Sequence, residues 1–450
     1  MASFPPPSQI PSAMPPALFS KVTRRFVPFL VLLYLIAYLD RVNVGFAALN
    51  MNKDLGLSPY VFGLGAGFFF LGYFLFEVPS NLALEKFGAR RWIARIMISW
   101  GLMAAAMALV RGPASFLAVR FLLGVTEAGF FPGIVLYLTY WYPARERARV
   151  MAIFYLGIPI AFVIGGPLST SILNIEGLAG LRGWQWLFIV EGLPAALLAF
   201  VVLRFLTDRP EKAEWLSPEE RQTLSEILRV DRALSERTSG QLTLRQAFGN
   251  SRVLLLALVF FLVVTGVYGL GFWLPQIIKR FGMSNMAVGF LAAIPYLVAA
   301  PVQVLWCRHS DVAGERRWHF AIPCFLMAGG FLLSALSPSP YVSFAGLVFS
   351  GVGLMCAQPM FWTMPGTILT GTAAAGGLAM INCIGNLGGF AGPYLVGWIA
   401  EETKNPALGL IVLTCAVLIA ATLVLFMRPE SLGESPRKSP AATPATPEVL

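Results

Sequence analysis

The sequence predicts an all-α membrane protein with twelve transmembrane helices, arranged as two pseudo-symmetric bundles of six. Hydrophobic residues make up 57% of the 450 residues and charged residues only 12%, whereas a soluble domain carries about 25% charged residues. Twelve apolar segments are each long enough to cross a bilayer, which takes about 20 residues. Two loops in corresponding positions of the halves share one motif, and this repeat indicates a duplicated six-helix unit.

The predicted helices divide the chain into two halves. The first six lie at about 26–49, 61–84, 92–111, 114–140, 149–173 and 184–206, and the last six at about 252–278, 285–308, 318–337, 340–364, 374–400 and 407–427. We therefore expect a disordered tail 1–20, a bundle 21–206, a cytoplasmic loop 207–250, a second bundle 251–428 and a disordered tail 429–450. Within the central loop, Ser217 and Glu220 form a capping box that predicts a short surface helix.

The basic charge is unevenly distributed among the loops. The formal net charge is +10, which in a soluble protein would suggest a nucleic-acid partner. Here most of the 33 Lys and Arg residues lie in loops on the side of both termini, and this asymmetry is the positive-inside pattern of membrane proteins. We therefore expect cytoplasmic termini in a bacterial inner membrane, contact with the lipid bilayer and no nucleic-acid partner.

The cysteines and histidines do not suggest a metal or catalytic cluster. The five Cys residues fall in the second half without metal-ligand spacing, and we interpret them as core packing. The two His residues, His309 and His319, flank one loop. Proton transfer in the middle of the membrane would therefore fall to carboxyl groups. We predict no cofactor, no metal and no enzymatic activity, because the sequence contains no nucleophile–base pair and no nucleotide-binding glycine loop.

The repeated loops place an acid, a glycine, two arginines and a tryptophan at identical spacing between the second and third helix of each half. We interpret the charged members as gating residues, because an acid there can bind helix N-termini or arginines of the facing half in one conformational state. The alternative is a solvated run of charges. The predicted gating residues are Glu85, Arg90, Arg91, Asp311, Arg316 and Arg317.

Ionisable residues also lie deep inside two predicted helices of the first half. Asp40 lies roughly 21 Å from the start of helix 1, and Glu127 lies roughly 20 Å from the cytoplasmic end of helix 4. The two acids therefore fall at similar depth, next to Arg41. Charges at this depth cost a few kcal/mol or more unless they pair or reach water, and they are functional by default. We interpret the group as a binding and proton site; the alternative is a structural ion pair.

Four segments carry a family resemblance: YLDRVNVGF at 38–46, GYFLFEVPSNLALEKFGARRWIARI at 72–96, RFLLGVTEAGFFPG at 120–133 and WQWLFIVEGLPA at 184–195. They resemble the major facilitator superfamily and, within it, the anion:cation symporters that include tartrate, phthalate and sugar-acid permeases. The resemblance implies that Asp40 and Glu127 couple protons and that Arg41 contacts the substrate. The planar guanidinium of arginine suits a carboxylate.

Further polar and aromatic residues are candidates for the substrate site through the same resemblance or through their position. The structural alternatives are ion pairing for the arginine, packing for the aromatic residues and interhelical hydrogen bonds for the asparagines, which share one helix face. We interpret Glu77 and Glu191, which also match family positions, as structural. The additional substrate-binding candidates are Tyr38, Tyr73, Arg120, Trp362, Asn382 and Asn386.

These observations predict a proton-coupled symporter that imports a small organic anion by alternating access. The carboxylate could be tartrate or an aromatic or dicarboxylic acid, and each substrate carboxylate requires about one proton to keep the site neutral. Ile158 replaces a glutamine of some sugar-acid relatives, which disfavours a polyhydroxylated substrate. The alternative is a sodium-coupled carrier or an exporter of organic acids with the same fold. We expect a monomer.

Overall fold

The computed structural model describes residues 14–237, 249–365 and 372–427, and this part of the chain is almost entirely helical. The predicted tail 429–450, the end of the central loop at 238–248 and most of the predicted tail 1–20 lie outside the described residues. The α-helices are α1 Pro16–Asp54, α2 Pro59–Phe87, α3 Ala89–Ala106, α4 Pro113–Glu127, α5 Phe130–Thr139, α6 Ala144–Tyr155, α7 Gly157–Leu173, α8 Gly183–Phe205, α9 Pro218–Arg237, α10 Ser251–Lys279, α11 Asn285–Ala313, α12 Arg317–Leu336, α13 Pro340–Thr363, α14 Thr372–Asn386, α15 Gly388–Thr403 and α16 Pro406–Leu425.

These helices form the twelve membrane spans that the sequence predicts. Among the described residues, eleven segments are long and apolar enough to cross a membrane, two of them made of the consecutive pairs α4–α5 and α6–α7. The pair α14–α15, separated only by Leu387, supplies the remaining span. Helices α1–α8 form the N-terminal bundle and α10–α16 the C-terminal bundle. The all-α, two-bundle prediction is therefore confirmed.

Three spans that the sequence predicts as continuous helices are interrupted, and each interruption follows a polar residue. Helix α4 ends at Glu127, α6 at Tyr155 and α14 at Asn386. After Glu127 the chain reaches Gly129, whose φ of 87° lies in the left-handed region, and a Cβ there would collide with the Ser80 side chain of α2. After α6, a proline four residues on cannot donate to the Tyr155 carbonyl group. The breaks therefore have separate local causes.

Helix α1 begins earlier than predicted. Residues 16–20, expected in a disordered tail, form its first turn, with a proline at the first helical position. Leu18 is buried, and the Phe19 ring packs against Tyr142 at 6.0 Å between centroids. These contacts with the loop between the fourth and fifth spans supply the apolar burial that orders the turn.

The predicted surface helix of the central loop is present as α9. The Ser217 N–H donates to Glu220 Oε2 at 2.9 Å and the Glu220 N–H donates to Ser217 Oγ at 3.2 Å, which is the expected capping box. Further along, Asp231 accepts a hydrogen bond from the Ala144 N–H at 3.2 Å and pairs with Arg147 at 3.7 Å. Helix α9 is therefore attached to the N-terminal bundle.

The two bundles contact each other mainly towards one face of the molecule. We call the face with the start of α1, helix α9 and the repeated loops the basic face, and the opposite one the distal face. Near the distal face, Asn285 Nδ2 donates to Asn50 Oδ1 at 2.9 Å, and the Tyr60 N–H donates to Glu401 Oε2 at 3.3 Å. Other cross-bundle hydrogen bonds between described residues lie there or nearer the middle of the helices.

Backbone-to-backbone packing supports the distal contact. A Cβ on Gly166 of α7 would collide with the Gly289 backbone of α11, and a Cβ on Gly63 of α2 would collide with the Pro393 carbonyl group of α15. Small residues at such crossings allow helices to approach closely within a membrane. The space between the bundles is therefore closed on the distal side.

Candidate functional site

A cavity lies between the bundles, on the basic-face side of the distal contacts. Among its lining residues in the described chain, Arg41 is the one that carries a formal charge, and Gln358, Asn382 and Asn386 supply amides. An aromatic enclosure with one cation and several amides suits an organic anion. The aromatic lining residues are Tyr34, Tyr38, Phe69, Phe70, Tyr73, Phe131, Tyr155, Phe260, Tyr268 and Trp362.

The Arg41 guanidinium joins the two bundles at the wall of the cavity. It forms an ion pair with Glu127 of α4 and donates a hydrogen bond of 3.1 Å to Tyr268 Oη of α10. Its side chain is 12% exposed, and its charge lies 5.1 Å from the Tyr38 ring and 5.6 Å from the Tyr73 ring. These rings stabilise the cation while leaving it in reach of the cavity.

Glu127 is the carboxyl partner of Arg41 and is fully buried. It is the last residue of α4, so its position depends on the break at Gly129. Its Oε2 atom has no hydrogen-bond partner within the described chain. A buried carboxylate that loses its cation costs several kcal/mol. Glu127 can therefore release Arg41 at low cost only when it takes up a proton.

Asp40 lies behind this wall and does not line the cavity. Trp100 Nε1 of α3 donates to its Oδ2 at 2.5 Å, and Asn43 Nδ2 donates to its Oδ1 at 3.2 Å. The side chain is buried. Neighbouring residues on a helix point about 100° apart, so Asp40 faces the interior of the bundle while Arg41 faces the cavity. The predicted acids are thus close in depth but have different surroundings.

A second buried carboxyl group, Glu191 of α8, belongs to the same interior region. It accepts a hydrogen bond of 2.8 Å from Ser169 Oγ, and its electrostatic environment includes Asp40 and the Asn43 amide. Its Oε2 atom has no hydrogen-bond partner among described residues. The interpretation of Glu191 as a structural residue stays a prediction.

Arg120, which the sequence analysis places in the substrate site, lies in the core beside the cavity. Its guanidinium donates to the Gly65 carbonyl group at 3.3 Å and to the Ala66 carbonyl group at 3.4 Å, both on α2. It also lies 5.1 Å from the Phe69 ring, and it is 1% exposed. The cavity lining in the described chain does not include Arg120. This geometry favours a structural role for Arg120, with backbone carbonyl groups as its hydrogen-bond partners rather than the acid that the sequence analysis names as the alternative.

The C-terminal bundle contributes both predicted and unpredicted residues. Trp362, Asn382 and Asn386 line the cavity as the sequence analysis expects, but their role in binding stays a prediction. Tyr268 and Gln358 were missed. A tyrosine among glycines halfway along α10 was a usable signal, because polar side chains in the middle of a membrane helix seldom face lipid.

The contacts described for three of the predicted gating residues are with the same bundle or with the start of the central loop. The Arg90 N–H donates to Asp208 Oδ1 at 2.9 Å, and Arg316 pairs with Asp311 at 2.7 Å. Arg317 donates to the Leu425 carbonyl group. Glu85, Arg90 and Arg91 line a recess at the basic face. The predicted contact between the halves therefore stays a prediction for another conformational state.

Comparisons with known proteins place this geometry in a family. A family model described as Major Facilitator Superfamily matches residues 30–393 and, in a second match, residues 256–449. A protein of Agrobacterium vitis named "Putative tartrate transporter" is 52% identical over 407 residues, covering 90% of each chain. A "Quinolone resistance transporter" of Acinetobacter baumannii is 47% identical over 403 residues, covering 89% of this chain and 93% of its own.

A solved structure supports the same fold. The crystal structure of a D-xylose–proton symporter superposes with a TM-score of 0.71 at 18% identity, covering 92% of this chain and 99% of that one. At this identity the likeness concerns the fold alone. The aligned 92% of this chain includes both bundles.

Proposed function

The chain belongs to the Major Facilitator Superfamily, and we propose that it is a proton-coupled symporter that imports a small organic anion by alternating access. It is a multi-pass membrane protein whose relatives are transporters. The observation that carries the proposal is the Arg41–Glu127 ion pair at the wall of an aromatic cavity between the bundles.

The proposed coupling follows from competition for one guanidinium. An incoming carboxylate needs the Arg41 donors that Glu127 now occupies. If the substrate displaced an ionised Glu127, an unpaired carboxylate would remain in a fully buried position, at a cost of several kcal/mol. A proton on Glu127 removes this cost, so anion and proton bind together.

We propose that Asp40 is a second proton-coupling carboxyl group. Its hydrogen bonds come from the neutral donors Trp100 and Asn43, and burial without a direct cationic partner favours the protonated form of a carboxyl group. Two such groups suffice for a dicarboxylate that enters with two protons. A monocarboxylate would need one.

The orientation that we propose places the basic face in the cytoplasm of a bacterial inner membrane. Most Lys and Arg residues lie on that side, in agreement with the positive-inside rule. Since the bundles are joined near the distal face, the present conformation is then the one that faces inward. In the outward-facing state we expect Glu85 and Asp311 to contact arginines or helix N-termini of the facing bundle.

The proposed substrate class is a compact carboxylate such as tartrate or an aromatic or dicarboxylic acid. The name of the Agrobacterium vitis relative supports tartrate. The amides of Asn382, Asn386 and Gln358 offer hydrogen bonds to a second carboxylate or a hydroxyl group.

Export of an aromatic acid is a second candidate function. Two observations favour it: the mainly aromatic cavity wall and the name of the Acinetobacter baumannii relative. Cells that produce the protein would then accumulate less of a fluorescent quinolone than cells that produce Arg41→Ala. Equal accumulation in the two strains would reject export of this compound.

Uptake into liposomes containing the purified protein tests the main proposal. We expect radiolabelled tartrate, malonate, phthalate or hydroxyphenylacetate to accumulate when the interior is made alkaline, and a protonophore to abolish the accumulation. Accumulation driven by a sodium gradient at constant pH would show that the coupling ion is sodium rather than the proton. If none of the four anions enters under either gradient, the proposed carboxylate class is wrong.

A further inference from the structure

The cavity region contains a carboxyl group that the proposed coupling does not use. Glu77 lies on α2, four residues after Tyr73 and therefore on the same helix face. It is 5% exposed, and its Oε1 atom accepts a hydrogen bond of 2.9 Å from Asn382 Nδ2 of the C-terminal bundle. The Asn386 amide also acts on this carboxyl group. Its Oε2 atom is buried without a hydrogen-bond partner among the described residues.

The contact repeats, at a second point of the cavity region, the arrangement at Arg41. There a carboxylate of the N-terminal bundle, Glu127, occupies the guanidinium. Here another carboxyl group of the same bundle, Glu77, occupies an amide donor that faces the cavity. Two donor groups suited to a substrate carboxylate, the Arg41 guanidinium and the Asn382 amide, are therefore hydrogen-bonded to side chains of the protein.

The surroundings of Glu77 make its charge costly. Its direct hydrogen-bond donor is a neutral amide, whereas Glu127 has a guanidinium. The ionisable groups whose charge acts on Glu77, or on which Glu77 acts, are Arg41 of α1, Tyr73 of its own helix and Cys383 of α14. A buried carboxylate held by neutral donors takes up a proton more readily than one paired with a cation.

We propose that Glu77 is an internal competitor for a second carboxylate subsite formed by Asn382 and Asn386. The subsite takes the second carboxylate of a dicarboxylic substrate, and Glu77 leaves it on binding a proton from the solution. This assignment deepens the proposed function and rests on it for the first subsite at Arg41. It also makes Glu77 a cross-bundle contact that substrate binding breaks.

Binding measurements at pH 7.5 test the competition. In Glu77→Gln the contact with Asn382 changes from charge-assisted to neutral, which is roughly half as strong. We expect the variant to bind L-tartrate about fivefold more tightly than the wild type, and to bind benzoate, which needs only the Arg41 subsite, within about twofold. Isothermal titration calorimetry of the purified full chain provides both constants. An unchanged or weaker affinity for tartrate in Glu77→Gln overturns the proposal.

Glu401→Gln is the matched control. Glu401 of α15 is another carboxyl group at the interface between the bundles, since it accepts a hydrogen bond of 3.3 Å from the Tyr60 N–H of α2. It lies at the distal end of the same interface and does not line the cavity. We expect it to leave the affinity for tartrate within about twofold. A gain equal to that of Glu77→Gln would show a general effect of loosening the interface and would also overturn the proposal.

Hydrogen exchange without any anion separates this proposal from the proposed function. We expect Glu77→Ala to speed amide exchange in peptides from 377–386 of α14 at least threefold, because a cross-bundle contact is lost. Unchanged exchange overturns the role of Glu77 as such a contact. If neither tartrate nor benzoate binds the wild type while exchange accelerates in Glu77→Ala, the anion class fails and the contact remains.

Discussion

The two bundles contribute different chemistry to one cavity. Among the described residues, the charged side chains of the N-terminal bundle that are buried are Asp40, Glu77, Arg120, Glu127 and Glu191. In the described part of the C-terminal bundle, the buried polar groups are hydroxyls and one imidazole, and at the cavity it supplies Tyr268, Gln358, Asn382 and Asn386. Charge costs more to bury than an amide does. On the proposed function, this difference would assign proton coupling to the first bundle and the uncharged part of substrate recognition to the second.

The largest expected effect is at the point where the two bundles meet. Arg41→Lys should lower the initial rate of tartrate uptake into liposomes about 100-fold, because a lysine cannot offer a substrate carboxylate the planar, bidentate fork of Arg41. Two lost hydrogen bonds to charged groups, at about 1.5 kcal/mol each, correspond to this factor.

Arg120→Lys serves as the control for that variant. Arg120 contacts backbone carbonyl groups outside the cavity lining, so we expect a lower thermal midpoint but an anion affinity within about threefold of the wild type. Complete loss of anion binding in folded Arg120→Lys would indicate that Arg120 contacts the substrate. It would also argue against the cavity as the complete substrate-binding site.

The next largest effect is expected for Asp40→Asn, which should impair proton coupling more than transport of the substrate itself. Asp40→Asn removes a titratable group but keeps its shape, and we expect it to lower accumulation of tartrate against a gradient more than tenfold. Exchange of internal for external tartrate, which needs no net proton movement, should remain within about threefold. Normal accumulation in this variant would show that Asp40 carries no coupled proton.

A smaller effect is expected in the second bundle. Gln358→Ala deletes an amide from the cavity wall, and a lost hydrogen bond of about 1–1.5 kcal/mol corresponds to a roughly tenfold higher KM. The dependence of uptake on the pH gradient should be unchanged, as measured by uptake at several external pH values. An altered pH dependence would break the division of roles between the bundles.

The smallest effect concerns a carboxyl group of the second bundle outside the membrane. Burial acts to raise the pKa of Glu315, but hydrogen bonds from the Trp318 and His319 N–H groups and from the His319 ring outweigh it and lower this pKa. Glu315 therefore stabilises the fold above its unfolded pKa of about 4.3, and the contribution is lost as the pH falls through the lower folded pKa.

Glu315→Gln should thus lower the thermal midpoint at pH 7 by on the order of 1–2 °C. The wild type and the variant should converge as the pH falls below the folded pKa of Glu315, which is lower than about 4.3, because the carboxyl group is then protonated in both states. Differential scanning fluorimetry over this range provides the comparison. A difference that persists at low pH would mean that packing, rather than charge, accounts for the effect.

The sequence predicts the fold well because apolar length and charge bias are local properties of the chain. The depth of Asp40 and Glu127 also follows from counting residues along helices. The pairing does not: that Arg41 binds Glu127 while Asp40 binds Trp100 depends on how each helix is rotated in the bundle. For the same reason Arg120 was expected in the substrate site but lies against carbonyl groups of α2.

Long-range contacts account for what the sequence analysis missed. Tyr268 was missed because its position in the site depends on a contact with Arg41 of the facing bundle. The contact of Glu77, which the sequence analysis interprets as structural, with Asn382 of the facing bundle also depends on long-range packing. The break after Glu127 requires Gly129 to approach a side chain of α2. Periodicity within one helix contains no information on such neighbours.

The break at Gly129 separates helix α5 from α4, so α5 can move as a unit smaller than a bundle. Helix α5, Phe130–Thr139, is about 15 Å long. A tilt of about 10° about the Gly129 break would displace its far end by about 2.6 Å, roughly the size of a water molecule. Such a tilt of α5 could open a path for water and protons to Glu127 while the distal contacts between the bundles stay intact. Proton entry and substrate entry would then need motions of different size, and the smaller one would come first.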